Sequence, residues 1–113
     1  MAKFITYYYC LPGGRVPVRD FVDALDITTY RKFIYKKELL EEFGPRLPMP
    51  HARYMGAGLY ELRFTGSDGA IRVFYFFAEH NSIILLHAFI KKTEKTPSNE
   101  LDTAYKRMRE YQN

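Results

Sequence analysis

Polar and apolar positions alternate with a period of two from Leu59 to Phe64: Tyr60, Leu62 and Phe64 fall on one side, Glu61, Arg63 and Thr65 on the other. That pattern predicts a strand with one core face and one wet face. Gly66-Ser67-Asp68-Gly69 follows, a set of residues that tolerate positive φ and close short loops. The β-branched and aromatic run from Ile71 to Phe77 then predicts the returning strand of a hairpin. Glu79-His80-Asn81-Ser82 marks a second turn. Beyond it, Ile83-Ile84-Leu85-Leu86 has no polar side, which predicts a strand covered on both faces and therefore central. The stretch from Leu59 onward thus reads as a three-stranded antiparallel meander.

The rest of the chain supplies a strand and three helices. Phe4-Ile5 and Tyr7-Tyr8-Tyr9 give a β-prone segment within Lys3 to Cys10, ended by Pro12-Gly13-Gly14. Pro17 opens a helix, where its missing N–H is no loss. Phe21, Val22 and Leu25 share its apolar stripe, and Asp20, Asp23 and Asp26 face water. Thr28 or Thr29 is expected to cap a second helix that runs to about Phe43, where Gly44-Pro45 stops it. Prolines at 48 and 50 make Arg46 to Arg53 a loop leading into the meander. After Pro97, Ser98 and Asn99 are capping residues. Leu101, Ala104, Tyr105 and Met108 then recur at helical spacing toward Tyr111, with acids near the start and bases near the end, as the helix dipole favours. The architecture predicted is α+β: an N-terminal strand and helix hairpin, the meander, and a C-terminal helix on the sheet or its edge.

Composition narrows the class without fixing the chemistry. The 113 residues suit one domain spanning 1–113, with no repeat or linker, and 47% hydrophobic with 27% charged residues is ordinary for a soluble protein. A formal net charge of +4 permits binding to nucleic acid or to an acidic partner. The ten tyrosines and nine phenylalanines are expected mainly in the core. One cysteine excludes an internal disulfide, and no Cys/His spacing suggests zinc. No signal-peptide pattern or membrane-length apolar run is present, so the expected location is the cytoplasm, with no membrane partner.

The candidate chemistry lies in the meander's cations. If the hairpin loop closes so that Arg63 opposes Arg72, two like charges stand roughly 5 Å apart on one face, which is destabilising unless an anion sits between them. Paired arginines suggest a phosphate. Lys91, Lys92 and Lys95, three lysines in five residues at the end of the third strand, add a cationic rim. Phosphoryl-transfer chemistry at such a site would need a base for the attacking hydroxyl, cations for the phosphorane and a donor to the leaving oxygen. Arginine does not lose its proton, so Arg63 and Arg72 read as clamps, whereas a crowded lysine could act as base, with Lys91 and Lys92 the candidates. His51, in the proline-rich loop, has no partner identifiable from sequence.

These residues resemble the RelE/HigB-type toxins of bacterial toxin-antitoxin pairs, in particular the phage-like HigB branch. The resemblance rests on Gly58-Leu59-Tyr60-Glu61-Leu62-Arg63, on Arg72-Val73-Phe74-Tyr75, and above all on Leu85 to Pro97 with its Lys-Lys-Thr-Glu-Lys-Thr-Pro run and the helix after it. It extends back through Leu47-Pro48-Met49-Pro50-His51 and the two preceding helices. It implies a RelE-like fold and a metal-independent endoribonuclease, an mRNA interferase that cleaves mRNA, commonly on the ribosome, without a cofactor. Arg63, Arg72 and Lys91 or Lys92 match basic catalytic positions, with Arg53, Tyr60, His87 and Lys95 as further RNA contacts. A helix-turn-helix, HigA-like antitoxin is the implied partner. Where some relatives have a second basic residue on the first meander strand, this chain has Glu61, and Tyr105 and Tyr111 do not match by spacing the tyrosine that relatives use. A ParE-like gyrase poison sharing the fold, or a non-catalytic RNA-binding module, are the rival readings.

Overall fold

The computed structural model describes residues 3–113. Five strands form: β1 at Ile5–Tyr8, β2 at Ala52–Gly56, β3 at Leu59–Gly66, β4 at Gly69–Ala78 and β5 at Ser82–Lys91. The helices are α1 at Pro17–Asp23, α2 at Ile27–Phe43 and α3 at Ser98–Gln112. The strands make one mixed sheet in the order β1-β5-β4-β3-β2. β2 to β5 are antiparallel neighbours, and β1 returns parallel to β5 with Tyr7 beside Ile84. The α+β architecture is therefore as the pattern predicts, and the all-apolar Ile83–Leu86 run lies in an interior strand, buried throughout. Among the described residues no helix is long and apolar enough to cross a membrane.

The meander has a strand more than expected. Residues 46–53 do not form a loop throughout, because a 3₁₀ turn at Gly44–Arg46 and a loop closed by Pro48 lead into β2 at Ala52. The Pro48 carbonyl accepts from the His51 and Ala52 N–H groups at 2.9 and 3.1 Å. Both prolines lie before the strand, where they remove no ladder donor. Gly56, Ala57 and Gly58 all have positive φ, at 104°, 52° and 90°, and this turn sends the chain back into β3.

Both faces of the sheet are covered. On one side, Phe33 and Leu40 of α2 and Val18 and Val22 of α1 pack on Leu62, Phe64, Val73, Tyr75 and Leu85. On the other, Ala104 and Met108 of α3 pack on Leu59, Phe74, Phe76, Ile84 and Leu86. The Tyr105 hydroxyl reaches past β4 to donate to the Met55 and Gly56 carbonyls at 3.1 and 2.9 Å. The wet face expected for β3 is thus corrected: Leu59 and Glu61 on that face are 0% exposed. Alternation assigns residues to faces, while tertiary packing buries Leu59 and Glu61 and leaves Thr65, farther along the same face, exposed.

Helix α2 is capped by Asp26 rather than by a threonine. Its carboxylate accepts from the Thr29 N–H at 3.2 Å and the Thr29 hydroxyl at 2.7 Å. Hydrogen bonds from Thr29, opposed by a small burial effect, hold the Asp26 carboxyl below its ordinary value. Ser67, in the β3–β4 turn, donates its hydroxyl to the same carboxylate at 3.1 Å and its N–H to Thr29 Oγ1 at 3.0 Å. The start of α2 is therefore pinned to the tip of the hairpin. Helix α3 begins after Pro97 with no side-chain cap, so Ser98 and Asn99 lie inside it.

The junction is tight at Gly66, where an added Cβ would collide with Thr29 Cγ2 and lie 2.9 Å from Ile71 Cδ1. Gly66→Ala is expected to cost about 1–3 kcal/mol, the usual penalty of overpacking. Thr29→Ser removes the methyl and keeps the capping hydroxyl, so the double variant should lose less than the sum of the singles. Denaturant melts of the four proteins measure this coupling, and strict additivity would contradict the contact.

Candidate functional site

The hairpin register, from Gly66 opposite Gly69 to Tyr60 opposite Tyr75, sets Arg63 directly across from Arg72. The anion between them belongs to the protein. Glu61 lies two residues before Arg63 and shares its face. Arg63 Nη1 donates to Glu61 Oε1 at 3.1 Å, and Arg72 Nε stands 3.8 Å from the same oxygen. The Thr96 hydroxyl donates to Oε2 at 3.4 Å, tying the loop after β5 to the carboxylate. The expectation that an external anion must separate the arginines is corrected: Glu61 already does so, and leaves one positive charge of the three groups unbalanced.

Arg72 is only 8% exposed. Its Nη1 donates to the Ile71 carbonyl at 3.0 Å, while Nε is the one buried side-chain nitrogen or oxygen among the described residues with no hydrogen-bond partner. Burial, and next the Arg63 charge, push the Arg72 pKa down against the pull of Glu61. The guanidinium stays cationic at any ordinary pH all the same.

Both arginines line a groove of about 400 Å³ whose other wall is α2, with Lys32, Tyr35 and Lys36, and whose floor includes Thr65. Lys32 Nζ donates to the Thr65 carbonyl at 3.1 Å. Lys36 Nζ lies 2.6 Å from His51 Nδ1, so His51 does have a partner. Burial pushes the Lys36 pKa down. The groove thus gathers four cations, and sequence reasoning missed two of them. Lys32 and Lys36, spaced i and i+4 beside exposed Tyr35, look like the solvated side of an ordinary amphipathic helix. Only the spacing hinted that they share one side.

The remaining candidate residues spread around this centre. Lys91 pairs across from Ala70, which puts it on the arginines' face and diagonal to Arg72. Lys92 and Lys95 are exposed on the loop beyond β5, outside the groove. Arg53 is exposed on β2, opposite Glu61. Tyr60 is on the other face of the sheet, stacked on Tyr75 at 5.5 Å and near Tyr54 at 5.0 Å, so the sheet separates it from the arginines.

His87 follows a bulge, since Phe74 pairs with His87 and Tyr75 with Leu85, which leaves Leu86 as the extra residue of β5. The bulge turns His87 toward α3, between Phe74 and Phe89. Nε2 lies 2.6 Å from Glu100 Oε1, and Arg107 Nη1 donates to Nδ1 at 3.2 Å and to the Leu86 carbonyl at 2.9 Å. With Nδ1 accepting from arginine, the proton of the neutral ring sits on Nε2 and points to Glu100. Both ring nitrogens are engaged in docking α3. Burial, aided by Arg107 and opposed by Glu100, lowers the His87 pKa.

The architecture is that of a RelE-like α+β domain. The family described as phage derived protein Gp49-like (DUF891) matches residues 20–109, from α1 to the last turn of α3 and including every groove residue. The chain belongs to this Gp49-like family, a family of toxin-antitoxin toxins within the RelE/HigB-type superfamily, which implies an antitoxin as its partner. No curated protein matches the chain.

Two expected outcomes follow from this geometry. Glu61→Gln leaves two opposed guanidiniums without their carboxylate and should destabilise the fold by about 3–5 kcal/mol, as breaking a buried pair does. Added sulfate should then raise the melting temperature of the variant more than that of the wild type, because an anion bound only by the folded state stabilises it. Equal sulfate responses would contradict the charge balance described.

The second concerns pH. The His87 pKa is lower in the folded protein than the 6.5 of an unfolded histidine. The unfolded chain therefore binds more protons as pH falls below about 6.5, and stability present in full above that pH is lost as it falls toward the folded value. Thermal melts between pH 7.5 and 5.5 should show a steeper decline for the wild type than for His87→Gln, which cannot titrate. Parallel declines would show that His87 protonation is not coupled to docking of α3.

Proposed function

We propose that this toxin is an mRNA interferase of the phage-like HigB branch, cleaving mRNA on the translating ribosome by attack of a ribose 2′-hydroxyl on the adjacent phosphodiester. The observation that carries this reading is the pairing of Arg63 with Arg72, which the single Glu61 carboxylate leaves with a net positive charge, in a groove of four cations. Arg63 and Arg72 clamp the scissile phosphate, and their contacts strengthen as charge gathers on the phosphorane. Lys32 faces a flanking phosphate, and the exposed ring of Tyr35 offers a stacking face for a base in single-stranded RNA. Four cations repel a divalent metal, so charge neutralisation falls to the side chains.

Lys91, Lys92 and Lys95 form the rim along which the strand leaves, with Arg53 on the opposite side. His87 serves binding indirectly, by holding α3. The partner in this reading is a helix-turn-helix, HigA-like antitoxin that sets acidic or apolar residues over the cationic groove or blocks docking on the ribosome.

Expression of the chain without its antitoxin is expected to arrest growth and to produce new RNA ends within coding regions, read by primer extension. Arg63→Ala should slow cleavage on the order of 10²–10³-fold, the loss typical of one oxyanion donor. Intact transcripts accompanied by gyrase-dependent DNA breaks would contradict the proposal.

A further inference from the structure

One of the groove's cations, Lys36, is in contact with a histidine outside the groove lining. Lys36 Nζ and His51 Nδ1 are 2.6 Å apart, 15 residues apart in sequence, brought together by α2 and the loop before β2. A line that short holds a single proton, so one of the two nitrogens must present a lone pair. Lys36 also lines the groove with both arginines, whereas neither Lys91 nor Lys92 does. The other charged groups lining it are Lys32 of α2, Arg63 of β3 and Arg72 of β4, all of one sign. Its helix neighbour Lys37 is instead paired with Glu41 at 3.3 Å.

Building on the ribonuclease reading above, we propose that Lys36 is the catalytic base that takes the proton from the ribose 2′-hydroxyl, with His51 as the residue that positions it and keeps it basic. Before reaction the shared proton moves from Nζ to Nδ1, leaving a neutral amine and an imidazolium. The 2′-oxygen bonds to phosphorus as its proton passes to Nζ, and the phosphorus–5′-oxygen bond breaks, the 5′-oxygen taking a proton from water. The products are a 2′,3′-cyclic phosphate and a 5′-hydroxyl end. The pair, now with a proton in excess, returns it to water as hydroxide is neutralised. Burial favours this role, since it lowers the pKa of Lys36 and so reduces the cost of the neutral amine.

Single-turnover cleavage of a ribosome-bound message by the full-length protein, between pH 6 and 9, tests this assignment. A message carrying a 2′-O-methyl group at the cleavage position measures binding separately. Lys36→Arg keeps the positive charge but cannot deprotonate. It is expected to bind the methylated message within about twofold of wild type and to cleave the natural one 10²–10⁴-fold more slowly. His51→Gln keeps a hydrogen-bond acceptor that takes up no proton. Its rate should climb about tenfold per pH unit through neutrality, where the wild-type rate is nearly level.

Cleavage by Lys36→Arg within about threefold of wild type would overturn the assignment, as would equal losses in binding and cleavage, which make Lys36 a phosphate contact alone. An unchanged pH profile in His51→Gln would remove His51 from the role. A wild-type protein that cleaves no message would instead overturn the ribonuclease reading itself, and this inference with it.

Discussion

The carboxylate of Glu61, enclosed between two arginines in the middle of a sheet, is the interaction on which the rest of the structure depends. Without it, the β3–β4 register would place two guanidiniums face to face with no carboxylate between them. With it, the hairpin closes in the register that Gly66 and Gly69 favour. That register sets the position of the turn, and the turn sets the start of α2 through Asp26, Thr29 and Ser67. Helix α2 then carries Lys32, Tyr35 and Lys36 along the edge of β3 and converts a pair of arginines into a groove. The function proposed for the protein is therefore a consequence of how one buried charge is balanced.

The opposite end of the same sheet face is handled differently. There the cations are used up internally: Arg107 is spent on His87 and the Leu86 carbonyl, and Glu100 on the other side of the imidazole. These contacts, with the Tyr105 hydroxyl on the β2–β3 turn, fix α3 over Leu59, Phe74 and Phe76. The helix thereby dries the apolar half of the face and stops short of the arginines. Its leading loop reaches Glu61 only through Thr96, at a distance that makes the contact weak. One face thus holds a sealed half and a charged half, and the border between them runs along the Glu61–Phe74–His87 row.

Much of this was legible in the sequence, and the reasons for the misses are physical. Strands β3 to β5 have the residue types and period that sheets require, so their order and the Arg63–Arg72 pairing followed from the turn alone. β2 was hidden by its prolines, which lie just outside it, although Gly56-Ala57-Gly58 between two short apolar runs was a turn signal in plain view. The burial of Glu61 was not legible, because alternation says which side a residue takes and nothing about what later covers that side. The pairing of Lys36 with His51 was not legible either: it is a tertiary contact between a helix and an irregular loop, and each residue looks ordinary in its own segment.

The account claims that Arg63 and Arg72 take a phosphate together at the groove, and the Nε–H of each has its own resonance in a protein labelled at arginine. Titration with a short single-stranded RNA made uncleavable by 2′-O-methyl groups should shift the Nε–Hε signals of Arg72 and Arg63 together, and inorganic phosphate at higher concentration should shift the same pair. Shifts confined to Arg53 and Arg107, with the Arg72 signal unmoved at saturation, would contradict it.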